Sequence, residues 1–332
     1  MKRSGIVGKI RQIIAIAIAL MAAGRLSATA PDDQSASLEG LRAADVAVGS
    51  VLYRLAVAND ELCLKRAALT GLVLHSSNDY ADSIRAAAIR HFDFESPIGI
   101  EGVIPGSPAA VAGIQSDDSL ISVGGRPISA STDRADALAM LDAADPRQPL
   151  AITVKRHGQL LSVTLRPIEG CVAHVEVDVS DGLNAGTDGE TIQVDSALVN
   201  LVGGNVQDLA VILSHELSHI VLDHPHRLTA AHVDRGFFRI FGKSGRLIKE
   251  TENQADRLSV TLMANAGYDP QEAVHYWRTF GPRLNDGGGL GSVHLPWQQR
   301  ADLIAAAVAA IPADAAKPIV PRWIESRKQP LR

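Results

Sequence analysis

His215, Glu216 and His219 stand in the order His-Glu-x-x-His. On a helix, positions i and i+4 share a face, so both imidazoles reach one metal ion and the glutamate projects beside it. Zinc suits imidazole nitrogen, and it lowers the pKa of a bound water to about 7, within reach of Glu216 as general base. A catalytic zinc site takes a third protein ligand and leaves one position open. Glu252 and Asp256 lie further along the chain, again spaced i and i+4. One carboxylate can ligate while the other orients a histidine from behind. Alone, the first motif also fits a capped core helix with two histidines, and Glu252 fits a solvated acid. The pair of motifs together favours one zinc ion per chain.

Such a site needs two helices. Asn205 is a good N-cap with Asp208 three residues on, and Leu209, Ile212, Leu213, Leu217 and Ile220 form an apolar face. Pro225 after His224 marks a stop. The second helix is expected over 250–266, closed by Gly267. Residues 270–281 and 297–311 read as further helices, and Val172–Val179 and Thr191–Val194 as strands. Upstream, residues 31–37 read as a loose segment. Residues 38–90 carry helical spacing through Leu41, Val48, Leu52, Leu55 and Leu62, which predicts two or three helices. Over 92–168 short apolar runs alternate with Gly and Pro. Leu150–Lys155 and Leu160–Leu165 read as a hairpin, and Arg134–Leu141 as a helix. The fold class is therefore α+β: a mainly helical domain with a small edge sheet, preceded by a β-rich domain and an N-terminal helical segment.

Composition supports a globular chain: 332 residues, 46% apolar and 21% charged. The net charge of −5 gives no sign of a nucleic-acid partner. Residues 1–30 combine a basic start, an apolar run from Ile13 to Ala23 and Ala28-Thr29-Ala30. They read as an export signal cut after Ala30, with an uncleaved anchor through 13–23 or a buried core helix as alternatives. The expected location is periplasmic or secreted, and membrane contact is expected only through such an anchor. Cys63 and Cys171 are the two cysteines. In an oxidising compartment they would form a disulfide worth up to about 4–5 kcal/mol by loop closure; two buried thiols are the other reading.

Residues 92–168 resemble a PDZ domain of the bacterial type. The resemblance lies in Pro105-Gly106-Ser107-Pro108-Ala109-Ala110, Ala112-Gly113-Ile114 and Asp118-Ser119-Leu120-Ile121-Ser122-Val123-Gly124-Gly125. Asp117 stands where the family usually has glycine. The resemblance implies capture of an extended polypeptide, through its free C-terminus, by strand addition. Ile98-Gly99-Ile100 is the candidate carboxylate loop.

From about 170 to 312 the chain resembles the gluzincin metallopeptidases of the HtpX, BepA and CAAX-prenyl-protease group. The match includes the two motifs, His224, Ala266-Gly267-Tyr268-Asp269-Pro270, and His294-Leu295-Pro296 with Arg300. It implies that His215, His219 and Glu252 ligate zinc, that Glu216 is base and then acid, and that Asp256 supports from behind. It places Asn184 and Ala185 on a substrate-binding edge strand. His294 either plugs the metal, assists at the oxyanion or packs structurally. Phe237–Phe241 is either a flap or core. His224 and the remaining histidines read as structural or solvated. Unlike HtpX-type members, the chain shows no later apolar stretch long enough to span a bilayer. The domain plan is a signal at 1–30, a helical segment at 31–91, the PDZ-like domain at 92–168, the peptidase domain at 169–315 and a tail at 316–332. The implied function is a zinc metalloendopeptidase acting on exported or envelope proteins, with a role in protein quality control. The competing reading is a non-catalytic, latched peptide-binding or chaperone-like envelope protein that works through the PDZ-like domain.

Overall fold

The structure, a computed structural model, describes residues 31–233, 242–284, 295–312 and 314–331. The chain divides into two compact units. One comprises residues up to Val46 together with Ala68–Ile168, and the other Ala47–Ala67 together with Glu169 onward. Residues 1–30, expected to be an export signal, and Phe237–Phe241 lie outside the described residues.

Helix α1 (Pro31–Ala58) contributes to both units. It is one helix of 28 residues, where the sequence suggests a loose start and several helices. No proline interrupts it after its first position, and buried Val48, Val51, Leu52 and Leu55 recur at three- and four-residue steps. The next segment corrects the sequence reading more strongly. Residues expected to be helical form strands β1 (Arg66–Leu69) and β2 (Leu72–Ser76). Gly71, at φ +78°, turns the chain between them, and pairing with β3 overrides the local helical spacing. The β-rich unit therefore begins well before residue 92.

That unit continues with α2 (Asp82–His91), β3 (Ile98–Val103), α3 (Pro108–Val111), β4 (Ser119–Val123), β5 (Arg126–Pro127), α4 (Arg134–Asp142), β6 (Leu150–Arg156) and β7 (Gln159–Leu165). The sheet runs β2-β3-β4-β6-β7 with antiparallel pairing, and β5 pairs with β4. The β6–β7 hairpin turns at His157-Gly158, both at positive φ, the turn sense that matches strand twist. Ile98, Ile100, Leu120, Ile152, Val154 and Leu165 form the core, covered by Ala137, Met140 and Leu141 of α4.

Two details bear on the expected peptide site. Ile98-Gly99-Ile100 is not a loop but part of an interior strand. Gly99 pairs with His75 on one side and Ser119 on the other, and the Ile100 N–H donates to the Asp118 carbonyl at 2.8 Å. This strand has no open edge for a ligand carboxylate. Asp117, in the family's glycine position, takes the left-handed backbone at φ +68° that glycine adopts most easily. Its carboxylate is held by Arg42, and its N–H donates to the Ile100 carbonyl.

β8 (Ile168–Cys171) pairs with β1. In the helical unit, β9 (His174–Asp178), β10 (Ala185–Thr187) and β11 (Thr191–Asp195) form a sheet in the order β10-β11-β9, so β10 is an edge. The helices are α5 (Ser196–Leu201), α6 (Val206–Val221), α7 (His224–Ala230), α8 (Gly242–Asn265), α9 (Gln271–Phe280) and α10 (Trp297–Ala309). Cys63 and Cys171 form a disulfide, with Cα atoms 5.5 Å apart. Leu209, Leu213 and Leu217 of α6 and Leu258 and Leu262 of α8 are fully buried where these helices pack together.

Pro225 does not stop α6. That helix ends at Val221, Asp223 turns left-handed at φ +55°, and Pro225 sits in the first turn of α7. There its missing N–H removes no helical bond. Helix α8 starts at Gly242, eight residues before the expected start, and ends at Asn265, two residues before left-handed Gly267. The N–H groups of Gly267 and Tyr268 return to the carbonyls of Ala264 and Met263. Among the described residues no helix is long and apolar enough to cross a membrane.

A Cβ on Gly99 would lie 2.6 Å from His75 Nε2 and 2.9 Å from Phe94 Cε1. His75 is 1% exposed and cannot easily yield. Gly99→Ala is expected to destabilise the β-rich unit by about 1–3 kcal/mol, read as a lower urea midpoint. An unchanged midpoint would contradict the close packing of β3.

Candidate metal centre

Helix α6 presents the first three residues of the site. Asn205 caps it by accepting from the Gln207 N–H at 2.9 Å, and its leucine stripe fixes its rotation. His215 and His219 then point together, one turn apart. Helix α8 brings Glu252 against them. His215 Nε2 lies 3.2 Å from Glu252 Oε2 and 3.3 Å from His219 Nε2, and His219 Nε2 lies 3.7 Å from Glu252 Oε2. The three residues are the group that could hold a metal ion among the described residues, with ligand atoms within 4.8 Å of one another.

The separations fit zinc. Ligand bonds of about 2.0–2.1 Å in a tetrahedron put neighbouring donor atoms about 3.3–3.4 Å apart. Two nitrogens and a carboxylate oxygen are also a donor set of the catalytic type, which leaves a fourth position open. The three donor residues line a cavity of about 450 Å³ together with Glu216, Asn184, Ala185, Val211, Trp277 and Leu228 among others. Glu216 is 8% exposed and stands beside the donors on the same helix. Asn184 and Ala185 enter the wall with β10, and Asp195 receives the Asn184 N–H at 3.0 Å.

Behind His215 stands Asp256, whose Oδ1 lies 3.0 Å from His215 Nδ1. Arg300 grips both oxygens of Asp256, at 2.9 and 2.7 Å, and stacks 3.7 Å over the Trp277 ring. Burial disfavours the charged form of each partner, and the ion pairing overrides it. The Asp256 pKa falls to about 2, chiefly through Arg300, then His215. The His215 pKa, which burial lowers, is raised to about 10 by Asp256 and Glu252.

Behind His219 the arrangement differs. His224 Nδ1 lies 3.1 Å from His219 Nδ1, and His224 Nε2 lies 3.2 Å from Gln254 Oε1. His224 is fully buried. Burial first, and the neighbouring His219, push its pKa well below the ordinary value.

The structure thus gathers His215, Glu216, His219, Glu252, Asp256, Asn184 and Ala185 at one cavity. Ile98, Gly99 and Ile100 lie in the other unit, inside its sheet, and His294 lies outside the described residues. Sequence reasoning left His224 among the structural histidines and passed over Gln254. His224 is five residues past His219, where continued helix would have carried it round the axis; the break at Asp223 returns it. Gln254 offered no signal beyond its place between Glu252 and Asp256.

A family model for the PDZ domain matches residues 99–156. Among solved structures, the chain is similar to the HtrA-type protease AlgW with a decapeptide, at 20% identity over 32% of this chain and 29% of that one, with a TM-score of 0.26. It is also similar to the HtrA3 PDZ domain bound to a phage-derived ligand, at 21% identity over 31% of this chain and 88% of that one, with a TM-score of 0.25. The chain thus spans under a third of the AlgW chain. A search of curated proteins by sequence gives no match. The chain carries a PDZ domain within its β-rich unit.

Asp256→Asn strips the buried Arg300 of its counter-charge, at an expected cost of about 3–5 kcal/mol near neutral pH. The folded pKa of about 2 lies below the unfolded value of about 3.9, so this contribution is complete above about pH 4 and is lost as pH falls through about 2. Urea midpoints of wild type and variant should therefore converge from pH 5 toward pH 2. A gap that stays constant over that range would refute the pairing.

Proposed function

We propose that the chain is a zinc-dependent endopeptidase that captures polypeptides with its PDZ domain. The observation that carries this reading is the trio of donor distances at His215, His219 and Glu252, sized for zinc and open to a cavity beside Glu216. When bound, zinc supplies Lewis-acid chemistry: it acidifies water and polarises a carbonyl. Glu216 takes the proton of the attacking water and delivers it to the leaving amine. Asp256 and Arg300 hold His215 in place. The edge strand β10 offers its unpaired side to an extended substrate, which would run along the cavity past Asn184 and Ala185.

In the β-rich unit, peptide capture belongs at β2 rather than at β3. Strand β2 ends the sheet, and α4 packs against it. A chain added there pairs its backbone with β2 and sets side chains toward α4, the mode by which PDZ domains take peptides. The disulfide suits an oxidising compartment, which favours exported or envelope proteins as substrates. Protein quality control in the envelope is the physiological role that the resemblance to gluzincins favours.

Glu216→Gln is expected to keep one equivalent of zinc per chain and to lose at least 100-fold of its peptide-bond hydrolysis, in line with removal of a general base. Metal analysis and cleavage of an unfolded protein substrate measure the two effects. Full cleavage by the variant would remove Glu216 from the chemistry. Biological activity that survives in it would move the function to peptide binding by the PDZ domain.

A further inference from the structure

We infer that His224 and Gln254 form a directed hydrogen-bond chain that fixes the tautomer of His219, leaving its Nε2 lone pair aimed at the metal. The inference rests on the zinc reading above. Its starting point is the outer end of the chain, where the chemistry allows one direction only. The Glu250 carboxylate accepts and cannot donate, so the atom of Gln254 that lies 2.9 Å from Glu250 Oε1 is its Nε2 donor. Arg227 donates and cannot accept, and its Nη1 lies 3.5 Å from Gln254 Oε1 and 3.3 Å from the Leu222 carbonyl. Both neighbours orient the amide the same way, with Oε1 turned inward.

The remaining steps follow by necessity. Gln254 Oε1 can only accept, so His224 Nε2, 3.2 Å away, carries the hydrogen and donates. A neutral imidazole has one N–H, so His224 Nδ1 is then a lone pair. His219 Nδ1, 3.1 Å from it, must be the donor. The only lone pair left on His219 is at Nε2, the atom 3.3 Å from His215 Nε2 and 3.7 Å from Glu252 Oε2. His224 and Gln254 are therefore positioning residues for a zinc ligand.

The two ligand histidines are thus steered by different chemistries. His215 has a carboxylate behind it, held by Arg300, whereas His219 has a neutral imidazole and an amide. The neutral chain also explains why a histidine with no exposed surface sits beside the site.

Nitrogen–proton correlation NMR of the zinc-loaded full chain reads the tautomers directly. The expected result is an Nδ1–H on His219 and an Nε2–H on His224. His224→Phe keeps a ring of similar bulk but removes the acceptor, and should weaken zinc binding about 10–100-fold by chelator competition. His224→Asn restores an acceptor near the Nδ1 position and should recover most of that loss. Far-UV circular dichroism checks that each variant is folded; if the phenylalanine variant is not, the asparagine variant and the tautomers decide. An Nδ1–H on His224, or zinc affinity within twofold of wild type in folded His224→Phe, overturns this inference alone. Zinc binding that survives His219→Ala unchanged overturns the metal reading as well.

Discussion

Three lone-pair atoms from two helices must face one another across little more than 3 Å, and that constraint governs the helical unit. Without a cation between them, two imidazole nitrogens and a carboxylate oxygen repel or compete for protons. The arrangement persists only if the helices carrying it cannot rotate or slide. Helix α6 is fixed by its Asn205 cap and a fully buried leucine stripe, and α8 by its own buried face and the glycine at its end. The apolar contact between α6 and α8 is thus what holds the polar groups at ligand spacing. Hydrophobic burial supplies the rigidity, and the motif residues add direction.

The surroundings of the site show two ways to stabilise a histidine in a low-dielectric interior. An ion pair such as Asp256 with Arg300 carries a desolvation cost of several kcal/mol per ion, and it holds only because each lone pair and proton has a partner. Arg300 meets that condition with a two-point grip on the carboxylate and a stacked indole beneath it. The chain through His224 puts a neutral imidazole and an amide next to the ligand, with buried Arg227 and exposed Glu250 both acting on Gln254, one step further out. The two histidines thus differ in their immediate neighbour, a carboxylate behind His215 and a neutral imidazole behind His219.

The candidate site was largely legible in the sequence because its chemistry is local. Two i, i+4 pairs announce two helical faces, and the residue types suit a metal ion. What could not be read depends on long separations. Arg300 reaches Asp256 across 44 positions, and no spacing rule connects them. The fold was legible where turns are strong, as at the hairpin with His157-Gly158, and misread where helical spacing was accidental. Residues 66–76 have helix-compatible apolar spacing, yet Gly71 and the partner strand decide their state. The same segment explains the misplaced peptide loop. Ile98-Gly99-Ile100, the candidate carboxylate loop, is flanked on one side by β2, a strand that the helical reading of 38–90 did not contain. Asp117 was a fair warning: a non-glycine residue in a left-handed position persists there because Arg42 and the Ile100 carbonyl hold it.

The split of α1 between the two units has a consequence for biosynthesis. Ala47–Ala67 belong with a body whose remaining residues start at Glu169, about 100 residues later. At a synthesis rate of about 5–20 residues per second, this stretch leaves the ribosome roughly 5–20 s before the first of its partners. Asn59 has to wait longer still, because its amide donates to the carbonyl of Leu262. Val51, Leu55 and Ala56 are buried in the finished fold, and throughout that delay a premature collapse onto nearer segments competes with docking onto the rest of their unit. A polypeptide kept unfolded until its last helix has been made never meets this hazard.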